Sequence, residues 1–343
     1  MSIFAPAPKP ASFLGYHRVL APSAGIKVSP LCLGTMNFGT TWKDFMGECS
    51  KEQSFALLDA FYKLGGNFLD TANNYQQEES EIWIGEWMKE RRNRDQMVIA
   101  TKYTTGFRTS HRDTEPIQSN FRSLNKLQAD YIDLLYVHWW DFTSSVEEVM
   151  HGLNNLVNSG KVLYLGVSDT PAWVVVNANE YARVHGLRPF SVYQAPLGQG
   201  KFKSSEARSG SSEDGSGRAS NLSEDDIKVS DALEQVAKRK NTTLHAIALA
   251  YVMHKTPSVF PIVGQRKVEH LKANVEALSV SLSDEDLAEI DSSSSFDIGF
   301  PMNFIFRDSY TTNITAADVS LTRVSAHIDA LPNPSPVRPR HVV

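Results

Sequence analysis

The sequence predicts an α/β protein of parallel strands arranged as a βα-barrel, on three observations. Strand and helix signals alternate from about residue 28 onward. The apolar runs Asn67-Phe68-Leu69, Met97-Val98-Ile99-Ala100 and Ile132-Asp133-Leu134-Leu135-Tyr136-Val137 lead into Asp70, Lys102 and His138, then into loop and helix. Such strands run parallel and aim one end at one place, the end where βα-barrels carry their chemistry. Finally, 343 residues with 41% hydrophobic and 10% aromatic content suffice for one barrel domain with tails.

The elements follow in order. A first strand spans 28–34, and its helix opens at Ser50-Lys51-Glu52-Gln53, a capping-box pattern, and closes at Gly65-Gly66. The second helix covers about 79–92, with Ile82, Trp83, Ile84 and Trp87 among its apolar residues; a short third follows Pro116. A fourth runs from Ser144-Ser145-Val146-Glu147 to Gly160. Strand five spans 162–167, and Thr170-Pro171 reads as an N-cap followed by a first helical proline. Strand six spans 190–194. Beyond it, 203–227 is polar and aperiodic and reads as a flexible loop. A helical region over 229–254, a last strand over 259–263 and a helix over 268–278 complete the count. The expected organisation is an extension over 1–27, a barrel over 28–291 and a tail over 292–343. In that tail Phe300, Phe304 and Phe306 are candidates for a substrate loop or for surface packing.

Only about seven strands can be counted. Between Gln194 and Gly200 there is no room for a crossover helix and another strand, since a parallel connection takes a dozen residues or more. One βα unit of an eight-fold barrel is lacking or shortened after strand six.

Composition excludes several classes. A net charge of −5 and a pI near 6.1 leave no basic footprint for nucleic acid. Cys32 and Cys49 have neither disulfide-framework nor zinc spacing, so no metal is expected. No apolar run reaches the roughly 18 residues of a membrane span, and 1–12 lacks a signal-peptide core, which points to a cytoplasmic protein.

Asp70, Tyr75, Lys102 and His138 together make a proton-donor site for a carbonyl. Singly, each has a bland alternative: Asp70 a turn residue, Tyr75 an aromatic cap, Lys102 a solvated charge, His138 a satisfied core histidine. Four residues of these types at the same ends of consecutive strands favour the joint reading.

These segments resemble the aldo-keto reductase superfamily, and within it the fungal aryl-alcohol dehydrogenase and norsolorinic acid reductase group. The matching stretches are Leu33-Gly34-Thr35-Met36-Asn37-Phe38-Gly39, Phe68 through Tyr75, Ile99-Ala100-Thr101-Lys102, Asp130 through Trp140, Gly166-Val167-Ser168-Asp169, Tyr193-Gln194 and Pro261-Ile262-Val263-Gly264 on to Asn274. The resemblance implies an eight-stranded barrel of the TIM type and an NADP(H)-dependent oxidoreductase. It would interconvert an aldehyde or ketone, of aromatic character, and an alcohol in a fungal secondary pathway such as that of aflatoxin or sterigmatocystin. It further implies that Tyr75 is the general acid, with Lys102 lowering its pKa, Asp70 holding the lysine, and His138 donating to the carbonyl. Bringing a phenol from about 10 to neutrality takes roughly 4 kcal/mol. Thr35, Met36, Ser168, Asp169, Gln194, Gly264, Gln265, Arg266 and Asn274 are implied cofactor contacts. Ser168, Asp169 and Gln194 would meet the nicotinamide carboxamide, and Arg266 a 2′-phosphate at a helix N-terminus. For Arg266 and Lys267 the alternative is a solvated helix start, for Asn274 an ordinary surface position. The family more often has Asn where Asp169 stands. Trp139 and Trp140 are candidates for an aromatic substrate wall or for rim packing. The family's aromatic residue that stacks on the nicotinamide lies in the segment lacking after Gln194, and a second shortening falls around Asn120-Phe121-Arg122. An inactive or regulatory cofactor-binding relative of the reductases is therefore the alternative function.

Overall fold

The structure, a computed structural model, describes residues 4–106, 122–198, 200–209, 222–295, 299 and 301–306, together with 319, 320, 324, 327, 329, 331 and 334–339. Two compact units divide them: one within Met1–Gln199 and Phe260–Glu276, the other within Gly200–Ser211, Asn221–Val259 and Ala277–Val343.

The first unit opens with a feature the sequence hides. β1 (Arg18–Ala21) and β2 (Ala24–Val28) pair antiparallel, inside the stretch expected to be an extension. Pro22-Ser23 makes the turn, and because Gly25 breaks the period-two pattern of such a short hairpin, the sequence signal is weak. Its residues Leu20, Ala21, Ala24 and Val28 pack in one cluster with Phe68, Val98, Ala100, Leu134 and Tyr136 of the main sheet.

Seven parallel strands follow: β3 (Cys32–Gly34), β4 (Phe68–Asp70), β5 (Val98–Tyr103), β6 (Ile132–Val137), β7 (Val162–Ser168), β8 (Phe190–Gln194) and β9 (Ile262–Gly264). They are ordered β8-β7-β6-β5-β4-β3-β9. β4 and β6 are buried along their whole length, as are the first five residues of β5, which is why these strands read as continuous apolar runs rather than alternating ones. The last strand returns beside the first, Gly34 opposite Gly264, as in a closing barrel. Yet β8 and β9 remain the two ends of the sheet. Among the described residues no strand fills the eighth position between them, and both show side chains to solvent there: Tyr193 is 51% exposed and Ile262 38%. The TIM-type α/β class and the shortened unit are both borne out.

Local signals explain the helices. Ser50 and Gln53 form the anticipated capping box at the start of Lys51–Lys63, and Ser145 caps Val146–Asn158; such caps contribute about 1 kcal/mol each. At Thr170-Pro171 the expectation is corrected. Pro171 itself takes the cap position of Ala172–Val184, while the Thr170 hydroxyl turns back to donate to the Ser168 carbonyl. The helix expected after Pro116 falls largely outside the described residues, as do Asn120 and Phe121; a short helix, Ser123–Lys126, follows Arg122.

The second unit is helical. A capping box at Ser223 opens Glu224–Lys240, which ends at Asn241 in a left-handed conformation; Thr243 then caps Leu244–Lys255. The single helical region expected over 229–254 is thus two helices. Leu233, Val236, Ile247, Leu282 and Ile290 join them in one apolar cluster. The polar loop 203–227 is corrected at both ends by Ser205–Ser209 and by Ser223; 210–221 falls outside the described residues. Phe304 and Phe306 lie on a short helix, Met302–Phe306, in this unit, and Phe300 is not among the described residues. No helix is long and apolar enough to cross a membrane, among the described residues.

Candidate active site

Parallel pairing brings the C-terminal ends of the strands into register. Asp70 ends β4, Lys102 is the penultimate residue of β5, His138 follows β6, Ser168 ends β7, Gln194 ends β8 and Gly264 ends β9. The sequence-predicted residues therefore line one rim, in the first unit.

Lys102 is fully buried, and three acceptors meet its ammonium. It donates to Asp70 Oδ1 at 2.6 Å, to the Thr71 carbonyl at 2.8 Å and to the Tyr75 hydroxyl at 3.3 Å. Tyr75 is also buried, and its ring lies edge-on to His138, centroids 6.0 Å apart. These four side chains form one connected group.

Electrostatics give each a state. Burial pulls Lys102 down, but Asp70 and Tyr75 outweigh it and keep the ammonium charged. Burial raises the Asp70 carboxyl, with Lys102 pulling the other way. His138 is held neutral, its pKa lowered to about 3 by burial and then by the Lys102 charge. For Tyr75 the expectation of a lowered pKa is corrected: burial raises the phenol above its ordinary value, and Lys102 offsets only part of this. Asp70 neutralises much of the lysine's field, so the site holds a protonated phenol beside a charged amine.

The turn that carries Tyr75 is strained. Gln76, Gln77 and Glu78 have φ of 53°, 52° and 85°, three consecutive left-handed residues without a glycine, each costing about 1–2 kcal/mol. Tertiary bonds hold them. Buried Gln76 donates to the Met36 carbonyl at 3.0 Å and accepts from the Trp42 amide at 2.7 Å. Glu79 accepts from the amides of Thr40 and Thr41 at 2.7 and 3.1 Å. In this way the loop after β3 is stitched to the turn after β4, and Trp42 reaches Tyr75 edge-on at 6.3 Å. Sequence reasoning missed Trp42, Gln76 and Glu79; the signal available was their position on loops that follow strand ends.

Of the residues expected at a cofactor, Thr35 is committed elsewhere. Its hydroxyl donates to the Asp70 carbonyl at 2.9 Å and meets Ser80 at 2.8 Å, tying β3 to β4. Met36 offers its carbonyl to Gln76. The others are more open. Gln194 Oε1 and Gln265 Nε2 are buried atoms without a partner among the described residues. Ser168 is buried; Asp169 is exposed and left-handed at φ 41°, a conformation Asn and Asp tolerate best. Gly264 leaves space: a Cβ there would meet nothing nearer than Asn37 Oδ1 at 3.9 Å. Asn37 donates to the Gln265 carbonyl at 2.8 Å, and Asn274 to Gln265 Oε1 at 3.3 Å, fixing the turn before the helix Val268–Glu276. Arg266 and Lys267 stand in that turn. Trp139 is 40% exposed and its indole donates to Thr105 Oγ1 at 2.9 Å, whereas Trp140 is buried packing.

Comparison with known proteins agrees with this architecture. A match to the aldo/keto reductase family covers residues 30–195 and 180–295, two pieces that meet where the sheet is open. The chain is 49% identical to norsolorinic acid reductase A of Aspergillus parasiticus, over 97% of this chain and 96% of the relative. It is 46% identical to an aryl-alcohol dehydrogenase of Pestalotiopsis microspora over 98% and 96%, and 44% identical to the aryl-alcohol dehydrogenase [NADP(+)] of Phanerodontia chrysosporium over 99% and 100%. These alignments span 377, 383 and 391 positions, more than the 343 residues of this chain, so each relative carries segments absent here. Parallel order, rim of polar strand ends and matched segments converge: the chain belongs to the aldo/keto reductase family, a family of oxidoreductases.

Proposed function

We propose that the chain is an NADPH-dependent reductase that interconverts an aromatic aldehyde or ketone and its alcohol. The observation that carries this reading is the buried Lys102 ammonium in contact with both Asp70 and Tyr75, beside a neutral His138. Neutral imidazole donates a hydrogen bond from its ring to the substrate oxygen and fixes the carbonyl without adding a proton. As negative charge develops on that oxygen, the Tyr75 hydroxyl transfers its proton to it. The phenolate so formed faces Lys102, which stabilises the anion more than the neutral phenol; Asp70 keeps the lysine in place. Water returns the proton to Tyr75 afterwards.

Reduced nicotinamide, when bound, supplies the hydride. The residues fit its edge and its phosphate end. Unpartnered Gln194 Oε1 suits an amide N–H of the carboxamide, with Ser168 beside it on the next strand, and Arg266 with Lys267 precedes a helix N-terminus suited to the 2′-phosphate that separates NADPH from NADH. An aromatic substrate is supported by Trp42 and Trp139 on the rim and by relatives named for norsolorinic acid and aryl alcohols. A place in fungal secondary metabolism and in the cytoplasm accords with the same kinship.

A second reading has its own observation. The open sheet between β8 and β9 favours a cofactor-binding relative without turnover. One experiment separates the two: NADPH fluorescence titration, then NADPH oxidation with an aromatic aldehyde, for the parent and Tyr75→Phe. General-acid loss lowers turnover about 10²–10⁴-fold, so the reductase reading expects that collapse with cofactor affinity retained. Binding without oxidation in the parent establishes the second reading.

A further inference from the structure

Behind the rim lies a buried ion cluster that the proposed chemistry does not use. Lys126 ends the short helix Ser123–Lys126, and its side chain is only 8% exposed. The ammonium lies 2.7 Å from Glu81 Oε2 and 3.2 Å from Glu78 Oε1, and donates to the Asn73 carbonyl at 2.8 Å. Glu81 is fully buried in the first turn of Glu79–Arg91, and its other oxygen accepts from Thr101 Oγ1 at 2.6 Å.

The placement of these contacts is informative. Asn73 stands two residues before Tyr75 and Glu78 three after it, so one ammonium grips both sides of the strained turn that carries the phenol. Thr101 immediately precedes Lys102 on β5. Successive side chains on a strand point to opposite faces, so Thr101 engages Glu81 on one face while Lys102 meets Tyr75 on the other. Asn73 closes the loop: its amide donates to the Lys102 carbonyl at 3.1 Å and its side chain to the Thr105 carbonyl at 2.9 Å. Gly85 permits the close approach this requires, for a Cβ there would fall 2.3 Å from the Lys126 carbonyl.

We propose that Lys126 and Glu81 form a positioning pair that sets the distance between Tyr75 and Lys102. The inference rests on the reading of Tyr75 as general acid and adds to it the device that holds the acid in place. Neither side chain touches the reacting groups. Their role is to keep a left-handed turn, unfavourable for Gln76, Gln77 and Glu78, docked against β5.

The test replaces both charges, because Lys126→Met alone strands a buried carboxylate and endangers folding. The double variant Lys126→Met with Glu81→Gln removes the fully buried carboxylate together with its cation and leaves only the partly exposed Glu78 without the lysine. In the full chain, kcat for NADPH-dependent reduction of an aromatic aldehyde is expected to fall about 10–100-fold, the scale of a misplacement near 1 Å. NADPH affinity and aldehyde KM should stay within about two-fold of the parent. Hydrogen exchange followed by mass spectrometry should accelerate in 71–78 and not in β6 or β7, and this arm reads the answer without turnover. Parental kcat, exchange unchanged in 71–78, or exchange raised across all strands would each overturn the proposal, the last by showing a merely structural pair. Tyr75→Phe in the same assay separates the failures: if it keeps full turnover, the general-acid reading falls and the pair's role with it; if Tyr75→Phe loses turnover while the double variant behaves as the parent, this inference alone falls.

Discussion

Around β4 and β5 a buried cation is satisfied by three acceptors and backed by a second ion cluster, whereas at β8 and β9 the sheet has its two open edges. The proton-handling half of the rim carries its own buried ion pair, Asp70 with Lys102; the opposite half carries none among the described residues. A family can lose sheet on one side of a barrel while the strand ends on the other stay in register, because each parallel strand is fixed by its own neighbours.

Closing the sheet is the change that would most alter this contrast. Grafting a relative's helix-plus-strand segment between Gln194 and Ala195 would pair two open edges and cover Tyr193 and Ile262. Several backbone hydrogen bonds at about 1 kcal/mol each, plus burial of two large side chains, amount to about 5 kcal/mol, or about 10–20 °C in melting temperature. Calorimetry should show that rise together with faster NADPH oxidation; a parent that already melts cooperatively at an ordinary mesophilic temperature with full activity would break the comparison.

Next in size is Lys102→Met, which leaves Asp70 buried and unpaired. Stability should drop about 3–5 kcal/mol by urea unfolding, and the added change Asp70→Asn should recover most of it. A similar loss in both variants would show that packing, not charge, holds the site.

On the open side, Arg266→Ala should weaken NADPH by about 1.5–3 kcal/mol and leave NADH nearly unchanged, read by fluorescence titration. Equal weakening of both cofactors would remove Arg266 from the phosphate.

The smallest effect is a pH dependence from His138. Its folded pKa of about 3 lies below the ordinary 6.5, so between those values the unfolded chain binds the extra proton and stability falls as pH falls. From pH 7 to 5 the loss from this group is about 2 kcal/mol. His138→Asn should flatten that slope in urea titrations.

Much of this was legible in the sequence. The central strands β4, β5 and β6 announced themselves because they are buried on both faces, and the rim because a polar residue follows each apolar run. The gap after Gln194 was plain from the few residues between Gln194 and Gly200. What stayed hidden depends on tertiary contact: the left-handed turn at 76–78 has no glycine or asparagine to signal it, and Lys126 and Glu81 lie 45 positions apart as unremarkable charges. Two helices in place of the one expected over 229–254 turn on Asn241, a helix-ending residue when left-handed.

The hairpin β1–β2 gives the sheet a floor. Leu20, Ala21, Ala24 and Val28 pack against Phe68, Val98 and Leu134, so the hairpin shields apolar side chains of the sheet from water. A chain shortened to begin after Val28 would keep all seven parallel strands yet bare that apolar cluster to water.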